Sequence, residues 1–278
     1  LTHLMGNSGS VLGVAIHHCL VDGKALFDFI TAWAAETRQP GSSQLMNYDQ
    51  LLLDKTALQD VSMPEKSEFR GIVAHTQAER GEYISKMLKS VGDPGTPTLV
   101  VVSFSRGELD LMKTAAHSYS TFDALVALLW KAMIEVRHLS SDELSKVGLA
   151  CDTRKRLHPP LPDNWWGCAN CYALVPALTA EEVRKMNLTQ LAQRVRDSVL
   201  AQKEGCAPAS IRSAINGLME GKTMDPAWGE AHGDFAITST ASGSTWYAPG
   251  LVDFGTGIPL MAVPPRVAGF GVIMIHSA

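Results

Sequence analysis

The sequence lacks the features that mark nucleic-acid-binding proteins and membrane proteins. Its 24 basic residues face 28 acidic ones, the net charge is -4, and no dense basic run occurs, so a nucleic-acid partner is not expected. No apolar stretch reaches the roughly 18 residues that a membrane-spanning helix needs. The first residues also lack the basic and apolar regions of a secretory signal peptide. These absences predict a cytoplasmic protein with no membrane partner.

Cysteine is too scarce and too irregularly spaced for a disulfide framework. The five cysteines form an odd set, which favours reduced thiols. Cys168 and Cys171 make one C-x-x-C, but neither a second such pair nor two histidines at zinc-site spacing follow it. The pattern G-x-G-x-x-G is also missing, which argues against a doubly wound dinucleotide-binding fold. We predict no metal site and no permanently bound cofactor.

The sequence does contain enough apolar residues for a large hydrophobic core. The chain has 278 residues, 46% of them hydrophobic and 19% charged, which suits one large or two ordinary domains. Strand-like and helix-like segments follow one another in mixed order, so the predicted fold class is α/β, of the α+β type with mixed sheets. Periodicity predicts strands at 11–16, 98–104, 147–151, 235–240 and 269–276, and helices at 24–37, 80–89, 106–116, 124–137, 188–205 and 210–220.

A change in amino-acid composition divides the chain into parts. From about residue 39 to residue 98, prolines and charges are frequent, which is typical of surface linker with some helix. We assign residues 1–64 to the remainder of an N-terminal domain, 65–98 to a crossover linker and 99–278 to a C-terminal domain. Neither end of the sequence has the pattern of a domain end, so we expect the chain to be part of a longer protein.

Two adjacent histidines, His17 and His18, follow the predicted strand at 11–16 and precede Asp22 and Gly23. Three explanations apply: packed or solvated rings with no chemical role, a metal site, or a general base. Neighbours on an extended segment point to opposite sides, so the two rings could not easily share one metal ion. A positioned histidine can take a proton from an attacking hydroxyl or amine without any nucleophilic serine or cysteine.

Two distant motifs resemble the signatures of the BAHD acyl-CoA-dependent acyltransferases. The segment from His18 to Asp22 matches H-x-x-x-D, and residues 253–257 match D-F-G-W-G with Thr256 in place of tryptophan. The chain between them is similar to the family at 120–130 and 151–171. H-x-x-x-D alone is a weak signal, but the whole set in this order is a specific one.

The resemblance implies two chloramphenicol-acetyltransferase-like domains with a channel between them, open to acyl-CoA on one side and to the acceptor on the other. In this family the second histidine, here His18, is the base that deprotonates the acceptor. The aspartate, here Asp22, points away from the channel and holds the loop through an arginine elsewhere in the fold. The D-F-G-x-G motif would form a structural loop away from the reacting atoms, and its residues here are Asp253, Gly255 and Gly257.

The resemblance also marks residues for CoA binding. Ser120 and Thr121 match a segment that touches CoA in relatives, although an ordinary helix cap explains them equally well. Arg154 either holds an acidic partner within the fold or approaches the CoA phosphates, and the first role is favoured. The donor to the oxyanion of the tetrahedral intermediate is expected among four hydroxyl side chains: Thr238, Ser239, Ser244 and Thr245.

The implied function is transfer of an acyl group from acyl-CoA, used as a co-substrate, to a hydroxyl or amine of a small acceptor of specialised metabolism, by a monomer. Two alternatives stay open. A condensation domain of a peptide synthetase shares H-H-x-x-x-D-G and the fold but takes acyl groups from carrier proteins; the D-F-G-x-G loop and the P-P-L-P segment at 159–162 favour the CoA enzyme. A degenerate relative would bind a ligand without turnover, and Thr256 keeps that alternative open.

Overall fold

Strands and helices alternate irregularly in the computed structural model, which describes residues 1–18, 20–43, 46–47, 49, 67–91, 100–118, 120–239, 252–260 and 272–275. The helices are α1 (Gly23–Arg38), α2 (Gln77–Val91), α3 (Arg106–Ala115), α4 (Thr121–Val136), α5 (Ala180–Lys185), α6 (Leu188–Ala201) and α7 (Ala207–Met219), with a π-helical turn (Gln202–Cys206) between the last two. The strands are β1 (Thr2–His3), β2 (Ser10–Val11), β3 (Ile72–His75), β4 (Leu144–Asp152), β5 (Asn170–Thr179), β6 (Thr223–Pro226), β7 (Phe235–Ser239) and β8 (Val272–Ile275). None of the helices in these segments has the length and apolar character that crossing a membrane requires.

The central sheet has four strands in the order β5-β4-β7-β8. β4 and β5 are antiparallel, whereas β7 is parallel to both β4 and β8. A sheet with both kinds of pairing confirms the predicted mixed-sheet class. Residues 147–149 of β4 are buried in succession, as expected for a strand that is covered on both faces.

Helix α4 packs one apolar face against this sheet. Val126, Trp130 and Ile134 recur every four residues, so they share one face of the helix. All three are at most 1% exposed, and they belong to the same apolar cluster as Leu149 of β4 and Phe235 of β7. The periodicity that predicts this helix therefore also identifies the face that it buries.

The one polar atom that Trp130 carries into the core has a partner. The indole Nε1–H donates to the Ser145 hydroxyl at 2.9 Å, and that hydroxyl donates to the Gly233 carbonyl at 2.6 Å. Ser145 is fully buried, and a Cβ on Gly233 would lie 2.4 Å from a carbonyl oxygen of β4. This short chain of hydrogen bonds fixes α4, β4 and the segment before β7 to one another.

The segment predicted as a crossover linker contributes regular structure. β3 pairs antiparallel with β6, and α2 contains the helix predicted at 80–89. The buried carboxylate of Asp225 on β6 contacts His75 Nδ1 at 3.1 Å and Arg80 Nε at 3.3 Å. Part of the interval 65–98 therefore packs against the C-terminal half of the chain, while the domain boundaries themselves stay a prediction.

Two of the predicted strands are wrong over the residues that the structure describes. Of the run at 11–16, only Val11 lies in a strand, and residues 12–17 form none. Residues 100–104 form no strand either, and the three valines of that run are two-thirds or more exposed. An apolar run becomes a strand only where a neighbouring strand pairs with its backbone groups, and in the described chain no strand pairs with residues 12–16 or 100–104. Residues 98 and 99 lie outside the described chain.

Strand β5 is the main element that the sequence does not predict. Its run is interrupted by Pro176, which has no amide hydrogen to donate and weakens a strand pattern. The structure accommodates the proline because β5 lies at the edge of the sheet and the register with β4 shifts between Ser145 and Val147. Such an irregularity is a place where a strand tolerates a proline.

We expect Ser145→Ala to lower the free energy of unfolding by about 1–3 kcal/mol, because the Trp130 N–H and the Gly233 carbonyl would lose their shared partner inside the core. Ser141→Ala, at an exposed serine of the same region, is the matched control and should change it by less than about 0.5 kcal/mol. Denaturant titration measures both variants, and equal effects would contradict the role of the buried network.

Candidate active site

The turn that carries the H-x-x-x-D motif leads directly into helix α1. Asp22 is the N-cap of this helix, and its Oδ1 accepts a hydrogen bond from the Ala25 amide at 3.0 Å. An aspartate at this position satisfies an amide that the first helical turn leaves unpaired, and it complements the helix dipole. The Leu20 amide donates to the His17 carbonyl at 2.9 Å. The motif spacing therefore places His18 on the turn and the carboxylate at the start of the helix.

Asp22 also forms a buried ion pair with Arg154. The guanidinium donates from Nη1 to Oδ2 at 2.8 Å and from Nη2 to Oδ1 at 3.0 Å, which is the bidentate geometry that arginine and carboxylate favour. The two side chains are only 1% and 6% exposed. The guanidinium carbon lies 5.5 Å from the centroid of the Trp165 ring. Of the two roles open for Arg154, the structure shows the acidic partner within the fold, and a side chain this deeply buried has no surface for CoA phosphates.

The same ion pair holds the loop at residues 167–169. The Ala169 amide donates to Asp22 Oδ2 at 2.9 Å, and Arg154 Nη2 donates to the Gly167 carbonyl at 3.1 Å. Gly167 has a φ of 149°, and a Cβ there would lie 2.4 Å from the Trp165 ring, so only glycine fits at this position. Cys168, between the two anchored residues, is thereby held near the histidine turn.

The environment of Asp22 fixes its charge. Burial alone would raise the pKa of this carboxyl, but the hydrogen bonds and charge of Arg154, with the amides of Ala25 and Ala169, hold the pKa below its ordinary value of 3.8. Burial alone would likewise lower the pKa of Arg154, yet its acidic partners raise it. Asp22 is thus a carboxylate at neutral pH that already receives four hydrogen bonds. This environment supports a structural role for Asp22.

His18 is exposed on the turn, and so is His17. The expectation that a strand directs the two rings to opposite sides is wrong, because residues 12–17 form no strand and His18 belongs to the turn itself. The structure gives His18 a neighbour instead. The Cys168 Sγ lies 4.0 Å from His18 Nδ1 and donates to Asn170 Oδ1 at 2.9 Å.

The D-F-G-T-G loop is folded back on itself by Asp253. Its Oδ1 accepts hydrogen bonds from the amides of Gly255 at 2.7 Å and Gly257 at 2.9 Å, and these bonds lower the pKa of the Asp253 carboxyl. The φ angles of the two glycines are 95° and 102°, in the region that side chains disfavour. Thr256 is exposed, so at the position where the family carries tryptophan this chain has no side chain packed into the fold.

A row of aromatic side chains attaches this loop to helix α1. The Phe254 ring meets Trp33 edge-on with centroids 5.1 Å apart, Trp33 lies 6.0 Å from Phe29, and Phe29 lies 5.6 Å from Trp166. These separations fall within the range of favourable aromatic pairs. Arg38, at the end of α1, also donates to the main-chain carbonyl before Phe254. The two distant motifs are therefore joined through one helix.

Ser120 caps helix α4. Its hydroxyl accepts a hydrogen bond from the Asp123 amide at 3.1 Å, and its carbonyl accepts one from the Ser118 hydroxyl at 2.7 Å. Thr121 is the first residue of the helix. The cap is thus what the structure shows for this segment, and CoA contact by Ser120 and Thr121 stays a prediction.

Two of the four candidate oxyanion donors lie in the described chain. Thr238 and Ser239 are half-buried at the end of β7, whereas Ser244 and Thr245 lie outside the described residues. The donor stays a prediction. Cys171, the second cysteine of the C-x-x-C, is buried, and burial raises the pKa of its thiol well above the ordinary value. Within the described segments, no three His, Cys, Asp or Glu side chains form a candidate metal-binding group.

Solved structures define the class of fold. The crystal structure of F. graminearum TRI101 complexed with coenzyme A and T-2 mycotoxin superposes with a TM-score of 0.64 at 16% identity, covering 92% of this chain and 56% of that one. The crystal structure of vinorine synthase superposes with a TM-score of 0.58 at 19% identity, covering 92% and 53%. At these identities the likeness shows the fold.

Sequence comparison specifies the family. The model of the Transferase family matches residues 2–277, and the chain therefore belongs to this family, the BAHD acyltransferases. Putrescine hydroxycinnamoyltransferase 1 of Oryza sativa subsp. japonica is 27% identical over 76% of this chain and 46% of its own length. Fatty alcohol:caffeoyl-CoA acyltransferase of Arabidopsis thaliana is 30% identical over 92% of this chain and 55% of its own length. The chain spans about half the length of these relatives.

The sequence does not reveal two contacts of the site. Cys168 attracts notice only as half of a C-x-x-C, so its position beside His18 is unexpected. The docking of Phe254 on Trp33 is also unexpected, although Phe29 and Trp33 are four residues apart on α1 and so share a face. The spacing of these two aromatic residues on one face of the helix is the signal that the sequence offers for this contact.

We expect Asp22→Asn to lower the free energy of unfolding by about 3–5 kcal/mol, because the Arg154 guanidinium would stay buried without its main counter-charge. Asp28→Asn is the matched control, since Asp28 pairs with Lys24 at 2.5 Å on the partly exposed face of the same helix. It should cost less than about 1 kcal/mol. Denaturant unfolding of both variants measures the difference, and comparable losses would refute the proposed role of the buried pair.

This contribution should depend on pH. The pKa of Asp22 is depressed in the folded state, so its stabilisation is complete above the ordinary pKa of 3.8 and is lost as the pH falls through the folded value. The difference in unfolding free energy between wild type and Asp22→Asn should be constant from pH 7 to about pH 5 and should shrink below about pH 4. A difference that does not change in acid would contradict this assignment.

We expect Phe254→Ala to destabilise the protein by about 1–2 kcal/mol, because it removes the aromatic contact of the loop with Trp33. Thr256→Ala, two residues away on the exposed part of the same loop, should be within about 0.5 kcal/mol of wild type. Thermal or denaturant unfolding tests both. A larger loss for Thr256→Ala would show that the loop is held by other contacts.

Proposed function

We propose that the protein transfers an acyl group from acyl-CoA to a hydroxyl or amine of a small acceptor, with His18 as the general base. The observation that carries this proposal is the exposure of His18 on a turn that the buried ion pair of Asp22 and Arg154 holds in place. A base must be reachable by its substrate and must also keep one position. This turn meets both requirements.

The reaction needs a single base and no covalent enzyme intermediate. A ring nitrogen of His18 takes the proton of the acceptor O–H or N–H while the acceptor oxygen or nitrogen attacks the thioester carbonyl carbon. The carbonyl becomes an oxyanion, and fixed hydrogen-bond donors stabilise it. When the C–S bond breaks, the CoA sulfur leaves and takes the proton from His18. The base is then regenerated for the next cycle.

The remaining residues support the base. Asp22 does not act as a second base beside His18. The Asp22 oxygens already accept four hydrogen bonds, and the pKa of this carboxyl is depressed. Asp253, Gly255 and Gly257 form the closed loop that braces α1. Ser120 and Thr121, at the start of α4, are assigned to contact CoA, which is a co-substrate rather than a permanently bound cofactor.

The names of the relatives support the acceptor classes. One is named for putrescine, which is an amine, and another for a fatty alcohol and caffeoyl-CoA. Both acceptor types react through the same proton transfer, so a hydroxyl or an amine suits the site equally. We assign the activity to a cytoplasmic monomer that acts in specialised metabolism.

We expect His18→Ala to lower kcat by about 10²- to 10⁴-fold, the usual contribution of a general base, whereas His17→Ala should lower it only modestly. The assay incubates the intact protein with acetyl-, malonyl- and aromatic acyl-CoA and a panel of amines and alcohols, and mass spectrometry detects the products. Equal losses in the two single variants would refute the assignment of the base.

The same assay separates the proposal from its alternatives. Transfer from acyl groups on a carrier protein, without transfer from free acyl-CoA, would indicate a condensation-domain activity. Binding of acyl-CoA with no product from any acceptor would indicate a ligand-binding relative. Product formation from free acyl-CoA, lost in His18→Ala, supports the acyltransferase.

A further inference from the structure

We infer that Cys168 is a positioning residue for His18: its sulfur accepts a hydrogen bond from Nδ1–H, which keeps the proton on Nδ1 and leaves the lone pair of Nε2 available to the acceptor. This inference rests on the proposed role of His18 as the base. It adds a second residue to that role, because a neutral imidazole can be a base at one nitrogen only when the other carries the proton.

The direction of the contact follows from the hydrogen bonds of the thiol. The Cys168 S–H donates to Asn170 Oδ1 at 2.9 Å. The thiol has one hydrogen, so towards His18, whose Nδ1 is 4.0 Å away, the sulfur presents lone pairs. A sulfur in this state acts as an acceptor, although a weak one. The ring nitrogen that faces it is therefore the donor, and this selects the Nδ1–H tautomer.

The position of Cys168 does not depend on its own side chain. The residues on either side are anchored to the buried ion pair, since Gly167 accepts from Arg154 and the Ala169 amide donates to Asp22. The Asp22 amide also donates to the Gly167 carbonyl at 3.4 Å. Asp22 therefore acts on His18 indirectly, because it holds the loop that carries the Cys168 sulfur.

A neutral thiol and a charged carboxylate orient a histidine ring with different electrostatic effects. In serine proteases a buried aspartate orients the histidine and also stabilises the charged imidazolium. A neutral sulfur fixes the tautomer without adding a negative charge beside the ring. The expected contribution is accordingly modest, about the value of one neutral hydrogen bond.

We expect Cys168→Ala to lower kcat by about two- to tenfold, which corresponds to one neutral hydrogen bond, with the KM for acyl-CoA and the Tm unchanged. Cys168→Ser, whose hydroxyl is a better acceptor, should restore most of the loss. Cys206→Ala removes a buried thiol elsewhere in the fold and serves as the control that leaves the kcat unchanged.

A second measurement does not need activity. Long-range ¹H–¹⁵N correlation spectra of the intact protein labelled at histidine report which ring nitrogen carries the proton, and the His18→Ala variant identifies the signals of His18. At a pH where this ring is neutral, we expect the Nδ1–H tautomer in wild type and in Cys168→Ser, and a mixture of tautomers in Cys168→Ala.

The two measurements separate the possible failures. If no acceptor is acylated by any variant, the proposed function fails, and the spectra still decide whether Cys168 selects the tautomer. If Cys168→Ala has the wild-type tautomer, or loses activity only through a lower Tm or a higher KM, the positioning role is overturned. A lower kcat together with a changed tautomer, both restored by serine, supports it.

Discussion

One buried ion pair determines the geometry around the candidate base. Asp22 and Arg154 are far apart in sequence, and each holds more than its partner: Asp22 caps α1 and binds the amide of Ala169, while Arg154 binds the carbonyl of Gly167. Burying two charges yields little net stability compared with apolar packing, because both must be removed from water. Two charges with complementary planar groups can, however, be satisfied in few arrangements. We therefore infer that the pair mainly fixes the positions of the groups bound to it. The exposed turn that carries His18 is one of the segments positioned in this way.

The four-residue spacing of the motif places His18 and Asp22 in different environments, as their two proposed roles require. A base that acts on a substrate has to be accessible, whereas an ion pair that fixes a loop is strongest when water is excluded. In this chain His18 is exposed and Asp22 is buried, and the start of helix α1 lies at the boundary between the two environments. The carboxylate acts on the turn through the backbone of the neighbouring loop. This division is consistent with the structural role proposed for the aspartate of the motif.

The sequence predicts the helices better than the strands, for a physical reason. The face of α4 that carries Trp130 can be identified locally, because a helix makes its hydrogen bonds within itself. A strand depends on a partner elsewhere: the apolar run at 100–104 pairs with no strand of the described residues, while β5 forms across Pro176 because β4 accommodates it. The same limit applies to the site. The motifs identify His18 and Asp22, but no pattern in the sequence shows that Cys168 lies beside the histidine, since that contact exists only after the loop is anchored.

Helix α1 is held at both ends, and this sets a limit on its length. Its first turn is fixed by Asp22, and its last residue, Arg38, binds the backbone of the D-F-G-x-G loop. The helix has 16 residues, and each residue adds roughly 1.5 Å and a rotation of about 100°. One inserted residue would turn Arg38 and Trp33 away from Phe254 while leaving the composition of the helix almost unchanged. The number of residues between the two anchor points is therefore as much a part of this architecture as the signature residues themselves.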